Sequence, residues 1–219
     1  MTMPEVYKFL RLCALLGCAL FLAAAMPAFE ASAFTTMDFY RAAQRYKAVN
    51  AFGAAVHCAH ETGDWRSRLW RDGRNGAGIK ANRAWVALGM PCIEVYSGEE
   101  IGGKSVAVRS SFRKYKTIDK FLRDYSRKVR DDYPLSARCY KNIWGYICGL
   151  YLGKNGRWAT DGKYFQKLTK KAVQLAPEIY GPSWRKRLHS QLENARGFKI
   201  LQKWQEDVIL SALRGEEVL

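Results

Sequence analysis

The spacing of apolar residues predicts a mainly helical chain. Between residues 118 and 129, Ile118, Phe121 and Tyr125 fall on one helical face, and Thr117 precedes them as a helix cap. The same spacing, together with capping and breaking residues, predicts helices at 36–50, 54–65, 136–152 and 164–175, and a charged amphipathic helical tail at 183–219.

A different pattern interrupts the helices near the middle of the chain. Val106 and Val108 alternate with polar neighbours, and a cluster of glycines precedes them. This alternation is typical of strands, and it predicts a β-hairpin formed by residues 91–96 and 105–115. One hairpin between helices predicts an α+β fold.

The N-terminal residues 1–33 have the pattern of a secretory signal peptide. Lys8 and Arg11 precede an apolar run at 12–26, and an A-x-A sequence ends at Ala33, where we expect cleavage. An uncleaved membrane anchor is the alternative. A lipoprotein signal ending at Cys18 fits less well, because the apolar run continues past it.

The charge narrows the choice of partners. The chain has 36 Lys and Arg against 20 Asp and Glu, a net charge of +16, and its 48% hydrophobic content excludes global disorder. Residues 1–33 hold two acidic and two basic residues, so the exported form keeps the whole excess. Export and the lack of a helix-turn-helix or RNA-binding signature disfavour nucleic acid. We therefore expect an acidic cell envelope as partner, in the periplasm or outside the cell, with membrane contact only through an uncleaved N-terminal segment.

Four cysteines lie outside the predicted signal peptide: Cys58, Cys92, Cys139 and Cys148. An even number in an exported protein predicts disulfides, with Cys139 and Cys148 the preferred pair, although three connectivities remain open. Because there is no C-x-x-C and the histidines lack matching spacing, we expect neither a zinc site nor another metal or cofactor.

One acidic residue is a candidate for chemistry. Glu61 lies near the end of an alanine-rich apolar helix, four residues before Trp65. A carboxyl group at the mouth of such a helix could have a raised pKa and act as a general acid. The alternative is a solvent-facing or capping glutamate.

Five segments, in order, resemble the bacterial glucosaminidase family of peptidoglycan hydrolases, glycoside hydrolase family 73. The family typically has A-Q-x-x-L-E-S-G-W-G, N-N-x-F-G-I-K, T-x-E, F-R-x-Y-x-S and Y-A-T-D-P-x-Y. This chain has V-H-C-A-H-E-T-G-D-W, R-N-G-A-G-I-K, C-I-E, F-R-K-Y-K-T and W-A-T-D-G-K-Y. The family includes autolysins and the hydrolase domain of the flagellar rod-assembly protein, and the resemblance spans roughly residues 39–180.

The resemblance implies a lysozyme-like fold for residues 34–182, in which a helical lobe carries the acid and a small β-hairpin lobe lies over the cleft. It implies an endo-β-N-acetylglucosaminidase that hydrolyses the β-1,4 bond after N-acetylglucosamine in peptidoglycan glycan strands. Glu61 matches the family's general acid.

Glycoside hydrolysis normally needs a second carboxylate. By the T-x-E match this is Glu94, although an exposed strand glutamate is the alternative and Glu99 or Glu100 could serve instead. Retaining, inverting and substrate-assisted routes stay open.

The family match also points to binding residues. Asn75, Lys80 and Tyr164 match family positions, Tyr164 as a structural or cleft-lining residue. Trp65, Trp85 and Trp158 are candidate sugar-stacking platforms, with ordinary core packing as the alternative for each. Arg113 is expected to link the hairpin to the helical lobe through a buried carboxylate.

At three positions the residue differs from the one in the family sequence, and these differences bear on whether the chain is catalytically active. Trp158 replaces a tyrosine, Arg74 replaces an asparagine and Ala77 replaces a phenylalanine. Two other functions therefore stay open: a muramidase or lytic transglycosylase on a similar fold, and a non-catalytic wall-binding protein. The sequence makes no prediction of the oligomeric state.

Overall fold

Helices dominate the chain on either side of a single hairpin. The computed structural model describes residues 34–47, 49–101, 104–153 and 156–217, so the predicted signal peptide and Gly102-Gly103 lie outside the described residues. Its elements are α1 Thr36–Ala43, α2 Ala51–Thr62, α3 Arg68–Gly73, α4 Arg83–Ala87, β1 Cys92–Ile101, β2 Lys104–Arg113, α5 Ile118–Asp132, α6 Pro134–Arg138, α7 Ile143–Tyr151, α8 Tyr164–Tyr180, a 3-10 turn Gly181–Ser183, α9 Trp184–Gly197 and α10 Lys203–Arg214.

Side-chain caps begin the helices near the predicted positions. Thr35 accepts from Asp38 N (3.1 Å) while Asp38 accepts from Thr35 N (3.0 Å), a capping box that starts α1. Thr117 caps α5 as predicted. Asn50 starts α2 three residues earlier than expected by accepting from Gly53 N (2.7 Å).

The predicted helix at 136–152 is two helices. Asn142 breaks it, because its side chain accepts from the backbone N–H groups of Trp144 and Gly145 (3.0 Å each) and starts α7. The amide of Asn142 also donates to Gln191 O (2.7 Å), a partner in α9 that local sequence does not reveal.

The hairpin has the predicted antiparallel form, paired from Cys92 with Arg113 to Ile101 with Lys104. A loop extends it on the other side of β2, where Ala81 N donates to Ser111 O (2.9 Å) and Arg113 N to Ile79 O (2.9 Å). The order across this lobe is therefore β1, β2, then the loop.

A buried ion pair joins the hairpin to the helices, as expected for Arg113. Asp124 of α5 is 7% exposed and accepts from Arg113 (2.7 Å), from the hydroxyl of Tyr115 (2.7 Å) and from Arg127. Burial raises the pKa of Asp124, but the hydrogen bonds from Tyr115 and Arg113 lower it more, so its net pKa lies below the ordinary value.

The core lies where α2, α7 and α8 meet. Every residue of α7 is buried, and Gly53 of α2 allows the two helices to approach closely, since a Cβ there would lie 2.5 Å from the Tyr146 ring. The resulting arrangement places the C-terminal end of α2 beside the start of α8.

The C-terminal tail packs on this core. Leu188 and Leu192 of α9 are fully buried, and the indole N–H of Trp144 donates to Leu188 O (3.0 Å). Residues Phe34–Leu219 form one compact unit. No helix among the described residues is both long enough and apolar enough to cross a bilayer.

The predicted disulfides are not formed, and this corrects the expectation from cysteine number. Cys58, Cys92, Cys139 and Cys148 are free thiols. Packing gives the thiols other neighbours: Cys92 Sγ lies 3.4 Å from Met90 O, and Cys148 Sγ lies 3.6 Å from Gln205 Oε1.

Candidate active site

Glu61 lies in the last turn of α2, where the chain turns sharply. Gly63, Asp64 and Trp65 all have left-handed backbone conformations (φ 57°, 56° and 67°). Such conformations are costly for non-glycine residues and cluster at functional sites. Thr62 holds the turn by accepting from Trp65 N (3.0 Å), and the Glu61 side chain stays 22% exposed at the helix end.

One carboxylate oxygen of Glu61, Oε1, is contacted by two side chains of the protein. The hydroxyl of Tyr164, at the start of α8, donates to Glu61 Oε1 (2.6 Å). His57, one turn earlier on α2, places Nε2 3.6 Å from the same oxygen, within ion-pair range. The structure thus gives Tyr164, predicted only as a structural or cleft-lining residue, a direct contact with the candidate acid.

The other oxygen of Glu61, Oε2, faces a loop formed by residues 75–80, called the glycine loop below. A Cβ built on Gly78 (φ 60°) would lie 3.8 Å from Glu61 Oε2. Asn75 fixes this loop from a fully buried position, because its amide donates to Ile79 O (2.9 Å) and Arg113 O (2.8 Å) and accepts from Ile79 N (3.0 Å). Asn75 therefore supports the loop beside Glu61 instead of reaching the cleft, where we expected it to bind substrate.

The electrostatics of Glu61 differ from the expectation of a raised pKa. Burial raises the pKa of the carboxyl, but interaction with His57 and the hydrogen bond from Tyr164 lower it more. The net pKa lies below the ordinary value of 4.5. Glu61 is therefore ionised at neutral pH in the free protein.

Trp158 is the predicted tryptophan that lies at this site. Its half-buried ring lies nearly perpendicular to the His57 ring (centroids 4.5 Å apart), and its N–H donates to Ala77 O (3.3 Å) in the glycine loop. Tyr133 packs on Trp158 (4.8 Å), and burial, then the charges of Asp132 and Glu61, raise the pKa of Tyr133 to about 12. Tyr133 was missed because it stands alone in the sequence pattern.

Trp65 and Trp85 are core residues, the alternative that the sequence left open. Trp65 is 8% exposed, stacks on Phe39 (4.9 Å) and donates to Thr36 Oγ1 (3.1 Å). Trp85 is 9% exposed and lies under the Arg113 guanidinium (4.7 Å). Both rings are therefore nearly buried.

Glu94 is not brought beside Glu61. It is half-exposed on β1, ion-paired with Arg109, in an open groove of about 470 Å³ that Arg68 and Tyr96 also line. Glu94 lies opposite Ser111 of β2, and the Ser111 carbonyl accepts from Ala81 N of the loop on the far side of β2. The backbone of Glu94 is therefore two inter-strand spacings, each about 5 Å, from that loop. Lys80 lies in that loop, exposed and bridged to Phe112.

A buried polar chain behind Glu61 was also missed. His57 Nδ1 lies 2.7 Å from the Tyr125 hydroxyl, which lies 2.8 Å from the Tyr146 hydroxyl, and all three residues are fully buried. The spacing of His57 and Glu61, one helical turn apart, is a signal that could have identified the pair. No group of three or more metal-ligating side chains occurs in the described part of the chain.

Comparison with known protein families identifies the family of this chain. Residues 37–176 match the glucosaminidase family, described as mannosyl-glycoprotein endo-beta-N-acetylglucosaminidase. The chain belongs to the glucosaminidase family of peptidoglycan hydrolases, glycoside hydrolase family 73. As a family member it is a glycoside hydrolase. No curated protein sequence matches the chain significantly.

Several solved structures are similar to this chain. The catalytic domain of the autolysin Auto from Listeria monocytogenes is 20% identical, with a TM-score of 0.51 over 78% of this chain and 97% of that one. A peptidoglycan hydrolase mutant from Sphingomonas sp. A1 is 24% identical (TM-score 0.49, 71% of this chain, 96% of that one). A C-terminally truncated glycoside hydrolase domain of Salmonella typhimurium FlgJ is 25% identical (TM-score 0.47, 64% of this chain, 97% of that one). The likeness to Auto confirms the predicted lysozyme-like α+β fold.

Proposed function

We propose that this glucosaminidase-family protein is an exported endo-β-N-acetylglucosaminidase that cleaves the β-1,4 bond after N-acetylglucosamine in peptidoglycan, with Glu61 as general acid. One observation supports this most strongly. Oε1 of Glu61 is held by Tyr164 at 2.6 Å, while Oε2 faces the loop at Gly78, where a reacting oxygen could approach.

The proposed acid must be protonated before it can act. Glu61 is ionised in the free protein because His57 and Tyr164 stabilise its charge. A glycan strand lying over the Gly78 loop would exclude water, and loss of solvent favours the neutral carboxyl. Proton uptake on substrate binding would then prepare the acid.

In the proposed reaction Oε2 of Glu61 gives its proton to the glycosidic oxygen as the bond from that oxygen to C1 breaks. The leaving sugar departs as an alcohol, and positive charge develops on the N-acetylglucosamine ring. Water then adds to C1 and loses a proton to a base. We propose that Trp158 and Lys80 bind the glycan strand beside this centre.

Glu94 remains our candidate for the second carboxylate. Because β2 lies between Glu94 and the loop beside Glu61, this role requires the hairpin to move towards Glu61. The anomer formed first, observed by NMR during hydrolysis, distinguishes inversion from retention. Loss of activity in Glu94→Gln would support the assignment; unchanged activity would transfer the role to Glu99, Glu100 or the substrate's acetamido group.

The experiment that tests the function compares wild type with Glu61→Gln on peptidoglycan. We expect Glu61→Gln to lower the hydrolysis rate by about 10²- to 10⁴-fold, because glutamine has no acidic proton, while wall binding stays. Mass spectrometry should find N-acetylglucosamine at the new reducing ends.

The control is Glu193→Gln, the same change at a 65% exposed side chain in α9, which should leave the rate unchanged. Equal, poor lysis by wild type and Glu61→Gln would instead indicate a wall-binding protein. N-acetylmuramic acid or its anhydro form at the new ends would indicate a muramidase or a lytic transglycosylase.

Export has a separate test. We propose that residues 1–33 direct secretion and are removed, so the protein recovered outside the cytoplasm should begin at Phe34. Recovery of the intact N-terminus from membranes would indicate an uncleaved anchor instead.

A further inference from the structure

A chain of buried side chains lies behind Glu61, and the reaction described above uses only its last member, His57, as a stabilising neighbour of the carboxylate. It starts at Tyr146 on α7, passes through Tyr125 on α5 and reaches His57 on α2. The three residues have no solvent exposure. The contact between the imidazole and the Tyr125 hydroxyl is 2.7 Å long, and the contact between the two hydroxyls is 2.8 Å long. Buried polar groups are costly unless they are hydrogen-bonded, so this chain needs a partner at its far end.

The charged group that faces this end of the chain is Glu61. His57 Nε2 has no hydrogen bond within the described part of the chain, and it faces Glu61 Oε1 at 3.6 Å. A neutral imidazole carries its proton on one nitrogen only. When Tyr146 donates to Tyr125 and Tyr125 donates to Nδ1, the proton of His57 lies on Nε2 and points at the carboxylate.

Within the described part of the chain, the acidic group that contacts His57 is Glu61. Two aromatic rings from outside α2 pack near it: Trp158, between α7 and α8, lies nearly perpendicular to the imidazole with centroids 4.5 Å apart, and Tyr164 of α8 lies at 6.4 Å. The titratable or charged groups around His57 and Glu61 include His60 and Cys58 on α2, Tyr125 on α5, Tyr133 after α5, Tyr146 on α7, Tyr164, Lys167 and Lys171 on α8, and Lys128, whose ammonium lies over Trp158 at 5.4 Å. None of these neighbours is a carboxylate.

We propose that His57, fixed by Tyr125 and Tyr146, is a positioning residue for Glu61. Together with Tyr164 it contacts Oε1, so that Oε2 is the oxygen that gives up the proton. This inference rests on the proposed role of Glu61. It assigns a catalytic purpose to a histidine in a place where the family motif quoted above has glutamine. A glutamine amide offers the same pair of functions, an N–H for the carboxylate and an oxygen for Tyr125.

The test uses three variants of the full-length protein. His57→Gln keeps both a donor and an acceptor, His57→Leu removes both, and Tyr125→Phe removes the hydroxyl that fixes the imidazole. We expect His57→Leu and Tyr125→Phe to lower kcat by about 10- to 100-fold, with KM little changed, because the carboxylate loses its orientation. His57→Gln should keep most of the wild-type kcat.

The pH profile separates positioning from simple structural support. Because the acid acts in its protonated form, kcat falls as pH rises through the pKa of Glu61. A lost donor to the carboxylate raises that pKa. The alkaline limb of the kcat profile should therefore move to higher pH in His57→Leu, and less far in His57→Gln.

A ¹³C NMR titration of the Glu61 carboxyl gives the same comparison without any turnover. If wild type proves inactive, the proposed function fails, yet the titration still shows whether His57 acts on Glu61. The control is His189→Gln, at an exposed position of α9, which should change neither kcat nor the titration.

The inference is overturned if His57→Leu or Tyr125→Phe lowers only the melting temperature while kcat, its pH profile and the Glu61 titration stay as in wild type. Should His57→Leu fail to fold, Tyr125→Phe and His57→Gln decide the question through the same titration.

Discussion

At the scale of single residues, the two oxygens of Glu61 have different surroundings. Oε1 contacts Tyr164 and His57, whereas Oε2 faces a loop in which Gly78 has no side chain and a positive φ of 60°. Asn75 holds that loop with three hydrogen bonds to the backbone. A buried amide and a glycine therefore shape the space in which the proposed proton transfer would take place.

Gly78→Ala should lower both stability and activity. The positive φ costs about 1 to 2 kcal/mol for an alanine, and its Cβ would lie 3.8 Å from Glu61 Oε2. Thermal unfolding and hydrolysis of peptidoglycan measure the two effects. Gly215→Ala, at φ 82° with open space around it, is the matched control for strain alone. Equal hydrolysis by the two variants would contradict a special place for Gly78.

The pKa of Glu61 predicts a pH dependence of stability. Because its folded pKa is lower than the ordinary 4.5, ionised Glu61 stabilises the folded state at pH values above 4.5, and this contribution is lost as pH falls through the folded pKa. The stability advantage of wild type over Glu61→Gln should therefore shrink below pH 4.5. Urea unfolding between pH 3 and pH 7 measures it. An advantage that grows on acidification would mean that burial, not His57 and Tyr164, dominates.

At the scale of elements, Asp124 connects the hairpin lobe to α5. It is nearly buried, and its carboxylate accepts from Arg113 at the end of β2, from Tyr115 just beyond it and from Arg127. The loop that carries Gly78 pairs with β2 at the same end. The position of the loop beside Glu61 therefore depends on this junction.

Asp124→Ala should destabilise the protein by about 3 to 5 kcal/mol, because it leaves the largely buried Arg113 without its carboxylate. Asp131→Ala on the same helix is the control. Its pair with Arg130 is more than half exposed, so the expected loss is about 0 to 1 kcal/mol. Denaturant unfolding measures both. Similar losses would show that the buried junction adds little.

At the scale of the whole molecule, the charge and the tail matter most. The net charge of +16 suits an anionic envelope polymer. Helices α9 and α10 lie beyond the family match, which ends at residue 176, yet Leu188 and Leu192 are fully buried against the core. The tail is therefore part of the folded unit.

Binding of the Glu61→Gln protein to insoluble cell walls should weaken as salt rises, since exposed charges are screened over about 10 Å at 0.1 M and 3 Å at 1 M. Co-sedimentation at increasing NaCl measures it. Walls stripped of their anionic polymers are the control and should bind less at low salt. Salt-independent binding would assign retention to the cleft alone.

Much of the architecture followed from the sequence, because it depends on local patterns. Periodicity and caps such as Thr35 and Thr117 predict helices, and alternation around Val106 predicts the hairpin. The break at Asn142 was missed because its cap, formed with the backbone N–H groups of Trp144 and Gly145, lies inside an apolar run that the periodicity joined into one helix. Its second contact, with Gln191 49 residues away, has no local signal. The prediction of disulfides was wrong because the number of cysteines carries no information about the distances between their sulfur atoms in the fold.

The sequence by itself determined the fold class, the family and the position of Glu61 at the end of α2. Only the tertiary structure decided what surrounds that carboxyl. Tyr164, 103 residues along the chain, and the buried chain through Tyr125 come together by packing, which no local pattern encodes. Whether the pKa of Glu61 lies above or below its ordinary value likewise depends on burial and on its polar partners, which act on the carboxyl only once folding has brought them together.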